Sequence, residues 1–170
     1  MMTKIYKDRK RDRCEHCMEW FAYSLIGIIL GLIMAIMAHL EQFLVHEKKL
    51  VTDSLIKGDS ENLLKGWMCY SGVSAVMVGV AAYMTVYKAP GASGSGTAEM
   101  IAYLNGVNLP NIIGFNTFAV KIFGVLLAVS GGLCVGKEGP LAHIGANVGA
   151  AIAYFPFPRF EYLRNEVAKR

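Results

Sequence analysis

Charged residues are scarce in this sequence. They make up 18% of its 170 residues, and 17 basic against 13 acidic side chains leave a net charge of only +4. So small and dispersed an excess argues against nucleic-acid binding. Because 54% of the residues are hydrophobic and the mean hydropathy is +0.39, the chain is too apolar for a disordered segment and unusually apolar for a soluble domain.

Cysteine is also scarce, and the four cysteines do not suggest a disulfide framework, because Cys69 and Cys134 lie in apolar runs. Cys14, His16 and Cys17 offer three ligands at close spacing in a basic segment. A structural zinc site normally needs four ligands, so we expect no metal and no cofactor. The sequence also shows no nucleophile–base pair or paired carboxylates, so an enzyme is not expected.

We expect no cleavable signal at the N-terminus, since residues 1–19 are dominated by charge. The first apolar run is therefore expected to direct insertion itself. We assign residues 1–19 to a charged cytosolic tail, residues 20–158 to a transmembrane domain and residues 159–170 to a charged C-terminal segment.

Long apolar runs predict an all-α, polytopic transmembrane fold. Residues 20–40 carry no formal charge and are long enough to cross a hydrocarbon layer of about 30 Å. A polar connection over 41–66 is expected to precede a second span at 67–87, whose small residues should pack against other helices. A third run, 115–135, is broken at its Gly-Gly pair and contains Lys121. This lysine is either buried or snorkels to the interface, and we favour snorkelling.

Glycine spacing predicts a compact bundle. Glycines four residues apart allow helix backbones to approach closely. The pairs are Gly27 and Gly31, Gly132 and Gly136, and Gly145 and Gly149.

Two glycine-rich breaks interrupt the apolar sequence, residues 91–96 before a short helix at 97–104 and residues 136–140 before a last helix at 141–154. At membrane depth, irregular backbone is tolerated only where it is buried in protein or lines a wet cavity. The unpaired N–H groups and positive dipole of a helix start bind anions without a formal charge, weakly enough to release them. The candidate anion-binding residues are Gly94, Ser95, Gly96, Gly136, Lys137 and Gly139.

Two side chains in these breaks have competing interpretations. Ser95 can donate its hydroxyl to an anion, or it can cap only its own helix. A carboxylate in an apolar region is costly, so Glu138 is a candidate gate that competes with the anion until it is protonated. Alternatively, Glu138 forms an ion pair with adjacent Lys137 or reaches interfacial water. His143 is interpreted as a packed or pore-facing polar residue rather than a ligand.

Nucleotide binding is excluded. Residues 131–137 read G-x-x-x-x-G-K, but Glu138 follows where a P-loop has Ser or Thr, and an apolar helix precedes where a strand is needed.

The two breaks resemble the signatures of the CLC chloride channels and proton-coupled anion exchangers. Residues 136–140 match G-[KR]-E-G-P, and residues 94–96 with Glu99 match G-S-G-I-P-E, although Thr97-Ala98 replaces Ile-Pro. Residues 103–107, 120–121 and 160–164 look closest to the lysosomal, endosomal and vacuolar branch.

The resemblance implies a CLC-like fold with broken helices and chloride transport across an endomembrane, the plasma membrane being the alternative. Ser95 resembles the family's anion-coordinating serine and Glu138 its gating glutamate. Implied partners are chloride, membrane lipid, a proton if the protein is an antiporter, and a second copy in a homodimer of the full-length protein. Because the family continues into further helices, we expect an N-terminal fragment. The alternative is a non-conducting, truncated membrane protein that assembles with full-length CLC subunits.

Overall fold

The described part of the chain is built of helices. A computed structural model describes residues 2–56, 62–107 and 109–154, and contains no strand over those ranges. Side chains are described over residues 17–56, 63–107 and 109–153. This confirms the all-α prediction. The helices are α1 (Met2–Ile56), α2 (Asn62–Tyr83), α3 (Thr97–Leu104), α4 (Phe115–Ser130) and α5 (Glu138–Tyr154).

Within the described ranges, two stretches are long and apolar enough to cross a membrane, Cys17–Ile56 and Leu63–Lys88. The first has 40 residues, so at about 1.5 Å per residue it is twice as long as a hydrocarbon layer of roughly 30 Å. The prediction of a polar connection from residue 41 is wrong as far as Ile56, because α1 continues to that residue. The stretch 41–56 is polar but contains no glycine or proline, so nothing in it ends a helix.

α2 continues beyond Tyr83 through a π-helical turn, Met84–Lys88. A 3₁₀ turn, Pro90–Ala92, then leads into the first break. Ala89 and Ala92 pack in a small buried cluster with Val120 of α4. This cluster places the end of the second span against the middle of α4, and so positions the break that follows.

The predicted close approach of glycine-lined helices occurs at one of the three pairs. A Cβ on Gly145 would lie 3.4 Å from Leu30 Cδ2, and one on Gly149 would lie 3.6 Å from Ile26 Cδ1. α5 therefore packs antiparallel against α1 along this pair. A Cβ on a glycine of the other two pairs would meet no atom of another packed segment within 4 Å among the described residues. These glycines are Gly27, Gly31, Gly132 and Gly136.

A buried lysine joins three helices at the end of α4. Lys48 of α1 is 5% exposed, and its Nζ donates to the Ser130 carbonyl oxygen at 2.8 Å and to Ser74 Oγ of α2 at 3.2 Å. The same Nζ lies 4.2 Å from the centroid of the Tyr70 ring. Since Ser130 is the last residue of α4, the ammonium lies where a helix dipole favours a cation.

Candidate anion site

The two glycine-rich breaks meet at one cavity. The cavity has a volume of about 730 Å³, and its lining includes Gly94 and Ser95 from the first break and Gly136, Glu138 and Gly139 from the second. A Cβ on Gly139 would lie only 2.7 Å from the Ser95 Cβ. Gly139 therefore packs directly on Ser95, and Ser95 and Glu138 line the same cavity.

The first break turns through two left-handed glycines, Gly94 with φ of 62° and Gly96 with φ of 80°. Gly96, and not Ser95, is the N-cap residue of α3. Ser95 Oγ nevertheless accepts a hydrogen bond of 3.3 Å from the Thr97 N–H. Because this bond uses an oxygen lone pair, the hydroxyl proton remains available for donation into the cavity.

The imidazole of His143 in α5 occupies the space that a side chain at position 96 would need. A Cβ at Gly96 would lie 2.2 Å from His143 Nδ1. The imidazole is fully buried, and its Nε2 lies 3.0 Å from the Ile112 carbonyl oxygen. A carbonyl can only accept, so Nε2 carries the proton and Nδ1 has no partner among the described residues. Of the two positions expected for His143, packed or pore-facing, the structure shows the packed one.

Lys121 anchors the first break, and the prediction that it snorkels is wrong. The residue is 3% exposed. Its Nζ donates to the carbonyl oxygens of Ala92 at 2.9 Å, Ser93 at 3.3 Å and Gly94 at 2.8 Å. These carbonyls belong to irregular backbone and need donors, so an ammonium with three protons is stabilised in the interior. The cation lies in the wall of the cavity.

The second break ends earlier than predicted, because α5 begins at Glu138 rather than at residue 141. The Leu141 N–H donates to the Lys137 carbonyl at 2.9 Å. Pro140 fits inside the first turn because a residue there has no intrahelical acceptor for an N–H. Glu138 lies in the cavity wall, and its carboxylate forms no hydrogen bond or ion pair with another described residue.

Lys137 pairs with Glu41 of α1 through Nζ and Oε2. The alternative in which Lys137 pairs with Glu138 is therefore wrong for this structure. Sequence reasoning missed Glu41 because it was assigned to a polar connection. Its position as the first charge after a long apolar run was the available signal.

A second missed residue is Asn147 of α5, which is buried. Its Oδ1 accepts from the Gly114 N–H at 2.9 Å and its Nδ2 donates to the His143 carbonyl at 3.0 Å. Together with His143, it holds the loop before α4 against α5.

Among the residues whose side chains are described, no three His, Cys, Asp or Glu residues come together in a way that could hold a metal. Cys14 and His16 lie outside those residues.

Comparison with known proteins identifies the family. The family model described as "Voltage gated chloride channel" matches residues 74–170, which include both breaks. Chloride channel protein CLC-a of Arabidopsis thaliana is 37% identical over 135 residues, 79% of this chain and 17% of that protein. H(+)/Cl(-) exchange transporter 7 of Homo sapiens is 34% identical over 164 residues, 89% of this chain and 20% of that protein. The chain thus spans a fifth or less of the length of these relatives, and it belongs to the voltage-gated chloride channel (CLC) family of membrane proteins.

Proposed function

We propose that this chain contributes part of a transmembrane chloride pathway. The observation that carries the proposal is the meeting of the two broken-helix starts at one cavity. The choice of chloride follows relatives named as a chloride channel and as an H(+)/Cl(-) exchange transporter.

Backbone N–H groups supply the donors of the proposed site. At the start of α5, the N–H groups of Glu138 and Gly139 have no carbonyl four residues back within the helix, and the same holds for Ala98 and Glu99 in α3. Each helix start also carries the positive end of its dipole. With the Ser95 hydroxyl, these donors form a site of partial charges, which suits an anion that must leave again.

The buried lysine favours weak binding as well. Lys121 directs its Nζ to three carbonyl oxygens, so its field attracts an anion while its protons stay engaged. An unengaged ammonium at the same depth would hold chloride tightly.

Glu138 is proposed as the gate. Its carboxylate lies in the cavity wall without a partner among the described residues, and it can accept the same N–H groups that a chloride would occupy. Ionised Glu138 therefore competes with chloride, and protonation removes the competitor. The proposal places the protein as a multi-pass homodimer in an endomembrane, with a proton as the second substrate if it is an exchanger.

Chloride-dependent stabilisation of the purified chain in detergent tests the site. A ligand that binds only the folded state raises the unfolding midpoint. Replacing gluconate by chloride should raise the midpoint of the parent, raise it further in Glu138→Gln and raise it less in Ser95→Ala. Glu47→Gln, which removes an exposed carboxylate from α1, is the matched control and should behave like the parent.

Equal midpoints in chloride and gluconate for every variant would contradict the site.

Chloride release from loaded liposomes then tests transport. Release above that of protein-free liposomes, faster with Glu138→Gln, is expected, and its absence would contradict conduction by this chain.

A further inference from the structure

Two adjacent charged residues of the second break have different surroundings. The Lys137 ammonium pairs with the Glu41 carboxylate on α1. The Glu138 carboxylate lies in the cavity wall and pairs with no other described residue.

The ion pair lies just before α5, the helix that packs against α1. Contacts along α1 and α5 run antiparallel, from Ile26 with Gly149 through Leu30 with Gly145 to the Glu41–Lys137 pair. The apolar contacts set the register that brings Glu41 to Lys137. Both side chains remain partly accessible, 23% exposed for Glu41 and 37% for Lys137.

Without Glu41, the Lys137 ammonium would need another partner, because an unpaired charge in an apolar region is costly. Lys137 precedes the first residue of α5, so its long, flexible side chain is not held in the diverging directions that successive helical residues adopt. Glu138 is the adjacent carboxylate without a partner among the described residues.

We propose that Glu41 is a positioning residue that holds Lys137 on the α1 side and so leaves Glu138 available to the cavity. The proposal rests on the proposed function, since the availability of Glu138 matters only if its carboxylate competes with an anion there.

Zero-length coupling with a water-soluble carbodiimide tests the proposal on the purified chain. The reagent activates a carboxylate, an adjacent amine attacks it, an amide forms, and the carbodiimide leaves as a urea carrying the elements of water. In the parent, mass spectrometry should find Glu41 joined to Lys137. In Glu41→Gln, coupling of Lys137 to Glu138 should increase several-fold, whereas Glu47→Gln should keep the parent pattern. Unchanged Lys137–Glu138 coupling in Glu41→Gln would overturn the proposal.

The chloride response separates positioning from a purely structural role. Glu41→Gln should enlarge the chloride-induced rise in unfolding midpoint, as Glu138→Gln does, because Lys137 then captures the competitor. The double variant Glu41→Gln/Lys137→Gln should return to the response of Lys137→Gln alone. If Glu41 had only a structural role, removing Lys137 as well would not restore the chloride response. A double variant whose chloride response stays as large as that of Glu41→Gln would therefore overturn the proposal.

If Glu41→Gln loses helicity by circular dichroism, the charge exchange Glu41→Lys/Lys137→Glu tests the same pair. Coupling between positions 41 and 137 is then expected, and coupling of position 41 to Glu138 would overturn the proposal. A coupling shift in Glu41→Gln without any chloride response in the parent would support the positioning role and refute the proposed function, so the two failures are distinguishable.

Discussion

Three charged side chains of the apolar segments are stabilised in different ways. Lys121 meets three carbonyl oxygens, Lys137 meets a carboxylate, and Glu138 faces a cavity. The two lysines are thus stabilised by particular neighbours, whereas the Glu138 side chain is exposed and stays available for a ligand.

Lys121→Met should destabilise the first break. The substitution keeps the apolar stem but leaves three carbonyls without their donor, which should lower the free energy of unfolding by roughly 2–4 kcal/mol. Thermal unfolding in detergent measures the loss. Lys88→Met removes an exposed lysine near the same break and should cause little change. Equal midpoints for the two variants would show that the Lys121 hydrogen bonds contribute nothing to stability.

Sequence reasoning at the residue scale works where the signal is local. Ser95 and Glu138 stand beside glycines that open helices, and the structure places them at one cavity; their role in anion binding remains a prediction. Glu41 and Asn147 act on partners far along the chain, so no local pattern points to them. Lys121 was misjudged because snorkelling depends on whether acceptors lie nearby, which only the fold shows.

At the scale of elements, the positions of the two breaks and both ends of α3 were predicted, whereas the end of α1 and the start of α5 were not. α4 ends at Ser130, beside the predicted Gly-Gly break, while α1 extends far beyond its predicted end. Polarity marks where a helix leaves the apolar layer, but glycine and proline mark where it stops. The glycine pairs likewise show which helices can approach closely, and only packing decides which do.

Gly145→Leu should separate α5 from α1. A Cβ at this position would already be in van der Waals contact with Leu30 Cδ2. A leucine side chain would therefore overpack the interface between α1 and α5 and lower the free energy of unfolding by about 1–3 kcal/mol. Gly31→Leu, at a position open within the described residues, is the control. Thermal unfolding compares them, and Leu30→Ala in the Gly145→Leu background should recover part of the loss. A larger effect at Gly31 would contradict the packing described.

At the scale of the whole molecule, α1 and α4 are the central helices of the described part, since they pack against each other and each packs against α2 and α5. Its second half, predicted as a connection, supplies Glu41 for the second break and Lys48 for the end of α4. The polar residues after the apolar run therefore organise the bundle instead of merely linking its spans.

Lys48→Met should loosen the bundle at the end of α4. It removes the hydrogen bonds to Ser130 and Ser74 and the contact with the Tyr70 ring, for an expected loss of about 2–4 kcal/mol. Lys49→Met, the exposed neighbour, is the matched control. Lys48→Met should be cleaved faster by protease and unfold at a lower temperature than Lys49→Met. Identical cleavage and unfolding of the two variants would show that the buried ammonium does not hold the helices together.

The contact between Gly139 and Ser95 has a mechanical consequence. Since no room exists for even a methyl group between them, neither helix start can tilt or slide toward the other without displacing it. Glu41 pairs with Lys137, two residues before Gly139, so a displacement of α1 would act on the same helix start that contacts Ser95.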